Sequence, residues 1–111
     1  MHDSGTPRIL VVEDDEVIAA LTTSMLGDSG EVTWAASAEH ALELLDNSDF
    51  DLAVVDIGLP GISGLDMIRE VKQRDPLLST LILTGEASFD NAVEAIRAGA
   101  DDFMQKPVDG A

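Results

Sequence analysis

The stretch "LAVVDIGLPGISGLDMI" (residues 52–68) sets the fold, because it changes period halfway along. Its first four residues are apolar without alternation and run straight into Asp56, the pattern of a parallel strand covered on both faces. "IGLPGISG" then breaks the chain. Ser63 followed by Asp66 reads as a helix start, and Leu65, Ile68 and Val71 recur at helical spacing until Asp75-Pro76 ends the run. Strand, loop and helix thus follow one another within a single unit, which calls for an α/β fold.

Working outward, the same unit recurs. "RILVV" (8–12) precedes a helix over about residues 16–26, with Val17, Ile18, Leu21 and Met25 expected on its inner face. "EVTWA" (31–35) alternates, as on an edge strand, and Ser37 is placed to cap a helix carrying Ala38, Ala41, Leu42 and Leu45. "TLILT" (80–84) is the fourth run. A helix with Ala92, Val93 and Ile96 follows it, with Ser88 as its cap and Gly99 as its stop. "DFMQK" (102–106) is the fifth strand. Alternation of this kind predicts a doubly wound parallel sheet.

Composition narrows the function. The chain has 111 residues, enough for one core. Twenty-two acidic residues face six basic ones, a formal net charge of -16. Such a charge repels nucleic-acid phosphates and anionic lipid and favours cations. Cysteine is absent, so thiolate chemistry and disulfides are excluded. No signal pattern or membrane-length apolar run occurs, and a cytoplasmic location is expected.

In open parallel sheets, ligands bind at the carboxyl ends of the strands. Strand one ends in Glu13-Asp14, strand three in Asp56, strand four in Thr84 and strand five in Lys106, whereas strand two ends in Ala35-Ala36. Carboxylates gathered at one point repel unless a cation joins them, and an all-oxygen set suits Mg2+ (or Mn2+). A carboxylate beside such an ion can attack phosphorus, with Lys106 and Thr84 stabilising the phosphoryl oxygens. The adjoining Asp15 and Glu16 stand where a helix begins and suit its capping and its dipole.

"ILVVEDDE", "DLAVVDIGLPGISGLDMI", "LILTGEAS" and "AGADDFMQKPVD" together resemble the receiver domains of two-component response regulators, similar in fold to the chemotaxis response regulator. The likeness implies a flavodoxin-like five-stranded sheet of order 2-1-3-4-5. It makes Asp56 the phosphoacceptor, with Glu13, Asp14, Asp56 and the backbone carbonyl of Gly58 as metal ligands. Thr84 and Lys106 would bind phosphate, Gly85 would leave room for it, and Phe103 would be the aromatic switch, although an aromatic there also suits plain core. It further implies a cis Lys106-Pro107 bond, and partners in a sensor histidine kinase and an output domain, with a homodimer possible. Transcriptional regulation is the expected output. Self-phosphorylation from phosphodonors and autodephosphorylation would be its only catalysis.

Two rivals stand beside this reading. A haloacid-dehalogenase-like phosphatase also uses an Asp after a parallel strand, but places a second Asp where this chain has Gly58. A degenerate receiver would serve only for docking. Glu86 either tunes phosphoryl lifetime or is surface, and His2 and His40 look incidental. Receivers of this type continue past "KP" with a fifth helix, which is not visible in "VDGA". The expected organisation is therefore a flexible segment 1–7, a receiver over 8–109, and 110–111 leading into a missing helix or output region. Trp34, on the edge strand, is expected to respond weakly to metal.

Overall fold

A computed structural model describes residues 5–59, 61–85 and 89–105. Strands and helices alternate: β1 (Arg8–Val12), α1 (Glu16–Leu26), β2 (Glu31–Ala35), α2 (Ala38–Asn47), β3 (Leu52–Asp56), α3 (Gly64–Arg74), β4 (Ser79–Thr84), α4 (Phe89–Ala98) and β5 (Asp102–Gln105). All pairings are parallel, in the order β2-β1-β3-β4-β5. The order reverses at β1 and β3, so the chain leaves those two strands in opposite directions and opens a crevice between their carboxyl ends.

Strand periodicity sorts the core into two layers. Leu10, Val12, Ala53, Val55 and Ile82 point to one face, where Ala38 and Leu42 of α2, Met67, Ile68 and Val71 of α3, and Ala95 and Ala98 of α4 cover them. Ile9, Val11, Val54 and Leu83 point to the other, packed with Leu26 of α1. Val54 and Val55 are both buried, as the unbroken apolar run of β3 requires.

Caps fix where the helices start. Asp15 Oδ1 accepts from the amides of Val17 and Ile18, Ser37 Oγ from His40, and Ser63 Oγ from Asp66. Each satisfies donors that the first helical turn leaves open. Gly99 ends α4 at φ +109°, a conformation that side chains with a Cβ avoid. The Ser88 cap expected for α4 lies outside the described residues.

Two helix faces differ from the sequence expectation. In α1 the buried residues are Ala19 and Thr22, while Val17, Leu21 and Met25 are exposed. The three do form one stripe, at spacings of four. Among the described residues, however, α1 is the single helix on its side of the sheet; its fully buried residues are the small Ala19 and Thr22, and partly buried Leu26 packs on the strand layer. In α4, likewise, Ala95 and Ala98 face the core and Ile96 is exposed. Small side chains there let the helix approach β4 and β5 closely, which apolar periodicity does not distinguish from burial of the largest residue. Four helices appear among the described residues.

Candidate functional site

Glu13 follows β1 directly and is fully buried; Asp56 ends β3 and is buried; Asp14 is exposed. Because β1 and β3 are neighbours in parallel register, with Val12 beside Val55, their ends bring these groups together. One carboxylate oxygen from each of Glu13, Asp14 and Asp56 lies within 4.8 Å of the other two. Octahedral Mg2+ holds oxygens at about 2.1 Å, so opposite ligands stand about 4.2 Å apart. The donor set is all-oxygen and of the right span, and it fits such an ion.

The surrounding backbone holds these carboxylates in place. The Gly58 amide donates to Asp56 Oδ1 at 3.2 Å, and the Ile57 amide donates to the Leu83 carbonyl at 2.9 Å, extending the β3–β4 ladder past Asp56. Glu13 Oε2 accepts from the Asp15 amide at 3.2 Å. The four acids of "EDDE" therefore divide: Glu13 and Asp14 join the cluster, while Asp15 caps α1 and Glu16 occupies its first turn.

On the β4 side, Thr84 is buried at the strand end, one residue beyond the partner of Asp56. Gly85 is exposed, and a Cβ built on it would meet nothing within 4 Å. Phe103 pairs with Ile82 on the face that Thr84 also occupies, and is half-buried against the larger core layer. The structure thus gathers Glu13, Asp14, Asp56, Gly58, Thr84 and Gly85 at one rim, with Phe103 further down its strand. Lys106, Pro107 and their peptide bond, together with Glu86 and His2, lie outside the described residues.

Two contributors escaped the sequence reading. Gly64 opens α3, and a Cβ on it would overlap the carbonyl oxygen of Asp56. Its place in "ISGLD" gave no sign of that approach. Trp34 was expected to stand apart from the site, yet its indole N–H donates to the Glu13 carbonyl at 2.8 Å. That contact depends on how β1 and β2 align, which strand pattern alone does not fix.

A five-stranded parallel sheet of this order, with an acidic cluster at its switch point and a buried Thr on the next strand, defines a receiver-type module. The response regulator receiver domain model matches residues 9–111, and the chain belongs to that family. It is 43% identical over 101 residues to the two-component response regulator PhoP of Pseudomonas aeruginosa, covering 90% of this chain and 45% of that one. To the transcriptional regulatory protein PhoP of Escherichia coli it is 39% identical, with the same shares covered. A solved CheY-like receiver domain protein from Methanospirillum hungatei superposes with a TM-score of 0.86 at 36% identity, over 94% of this chain and 84% of that one. The chain spans less than half the length of these two curated relatives. Neither rival finds support, since the matched family is the receiver family rather than a phosphatase family. No described helix is long and apolar enough to cross a membrane.

Proposed function

We propose that this receiver takes a phosphoryl group from the phosphohistidine of a sensor kinase onto Asp56 and passes the change to an output surface on α4 and β5. The observation that carries this is the meeting of the Glu13, Asp14 and Asp56 oxygens within 4.8 Å at the end of β3. Glu13, Asp14, Asp56 and the Gly58 carbonyl would hold Mg2+ or Mn2+, which when bound neutralises charge on the carboxylates and on the phosphoryl oxygens.

An Asp56 carboxylate oxygen attacks phosphorus in line. A new O–P bond forms as the donor's P–N bond breaks, and the leaving imidazole retains the electron pair. Thr84 then donates its hydroxyl to a phosphoryl oxygen, and Lys106 contributes a point charge. Drawing Thr84 toward the phosphoryl group frees space on the face it shares with Phe103. Rotation of that ring inward would shift a pre-existing equilibrium between two packings.

The relatives' greater length supports an output region on the same polypeptide following a receiver of about residues 8–109, with transcription as its field and the cytoplasm as its location. At net charge -16 this module does not itself grip DNA. A homodimer is a further state this reading allows. Intact mass after incubation with acetyl phosphate and Mg2+ tests the reading. A phosphoryl adduct is expected on the wild type and not on Asp56→Asn; no adduct on the wild type, or an equal one on the variant, overturns it.

A further inference from the structure

The Glu13 carbonyl that Trp34 grips belongs to the peptide unit joining Glu13 to Asp14, two of the three clustered acids. A peptide unit is planar, so fixing its C=O fixes the positions of both flanking Cα atoms, from which the two side chains depart. The Glu13 amide is held as well, by the Ala35 carbonyl at 3.0 Å. Adjacent residues of the edge strand therefore grip Glu13 on both sides.

Geometry explains the choice of side chain. The β1–β2 ladder reaches Val12–Ala35 and the chain then departs into α2, with Ser37 as its cap. Trp34 pairs with Val11, two residues before Glu13, so a donor must reach about 7 Å along the strand. A rigid indole spans that distance with its N–H at the tip. Lys or Arg would also reach, but would set a positive charge beside a cluster that binds cations. Core burial does not account for the residue, because Trp34 is 41% exposed.

We propose that Trp34 is a positioning residue for the acidic cluster. Its N–H holds the Glu13–Asp14 peptide so that both carboxylates turn toward Asp56, and the bond raises affinity for the cation. This rests on the metal reading of the cluster. It also reverses the expectation of a weak metal response, since the chain's one tryptophan is bonded to the backbone of the site.

Titrating the 111-residue chain with MgCl2, by calorimetry and by following the single indole N–H resonance, tests the proposal. The resonance should move saturably with the heat of binding. Trp34→Phe removes the donor and keeps an aromatic ring; it should bind Mg2+ about three- to tenfold more weakly, the equivalent of one lost hydrogen bond. Its metal-free melting temperature should fall by no more than about 4–8 °C, the cost of that one hydrogen bond. Equal Mg2+ affinity in Trp34→Phe, or an indole resonance unmoved while Mg2+ saturates the wild type, overturns the positioning role and leaves the metal reading standing. No Mg2+ binding to the wild type overturns both. The resonance test needs no variant, so misfolding of Trp34→Phe would not remove it.

Discussion

Gly64 occupies the first turn of α3, where Ala would ordinarily raise helix stability by up to about 1 kcal/mol. Here the added Cβ would overlap the Asp56 carbonyl oxygen and come within 2.9 Å of the Asp56 carbonyl carbon and Ile57 Cα. These are backbone atoms, and no rotamer change moves them aside. Overpacking of this kind costs about 1–3 kcal/mol, which exceeds the propensity gain. Gly64→Ala should therefore lower the urea midpoint, and by displacing the end of β3 it should also slow phosphorylation of Asp56. A gain in stability would show that α3 has room to withdraw. The position also marks a boundary of what residues alone disclose. Asp56, Glu13 and Asp14 were legible because charge at the end of an apolar run is unusual in itself. Gly64 and Trp34 act through contacts with backbone outside their own helix or strand, and their local sequence pattern does not announce it.

At the scale of elements, the corner joining α3, β4 and the α4–β5 turn is held by one carboxylate. Asp101 Oδ2 accepts from the Thr80 amide at 2.8 Å and from Lys72 Nζ at 3.1 Å, while Lys72 also donates to the Leu78 carbonyl at 2.6 Å. The Thr80 amide above all, and Lys72 after it, hold the Asp101 carboxyl below its ordinary value, against the opposing effect of desolvation. A carboxyl with a lowered folded pKa stabilises the fold above its unfolded value, about 3.9, and loses that contribution as pH falls through the folded one. Asp101 is 57% exposed, so solvent limits its worth to about 1 kcal/mol. Asp101→Asn should be less stable than the wild type by about that amount at neutral pH, and the gap should close below about pH 4. Urea titrations of both proteins across this range would show it, and a gap that persists in acid would mean the charge is irrelevant. Strand and helix order was legible at this scale because period and turn signals repeat. The inward faces of α1 and α4 were not, since Val17 and Ile96 look as fit for a core as Ala19 and Ala95, and which is buried depends on how closely each helix sits on the sheet.

Across the whole molecule, the acidic surplus and the acidic cluster act in the same direction but over different ranges. A net charge of -16 on so small a domain opposes compaction, and added salt screens that repulsion over a length of about 10 Å at 0.1 M. NaCl should consequently raise the melting temperature of the wild type and of Asp14→Asn alike. Mg2+ at the same ionic strength should add a further increment in the wild type, because a ligand that binds only the folded state stabilises it by mass action. Asp14→Asn should lack most of that increment. Without metal, the variant should melt slightly higher than the wild type, because one of three mutually repelling carboxylates within 4.8 Å has been neutralised. Calorimetric scans in matched NaCl and MgCl2 separate the two effects. Equal Mg2+ increments in wild type and Asp14→Asn would assign the whole response to diffuse screening and remove Asp14 from the cation site.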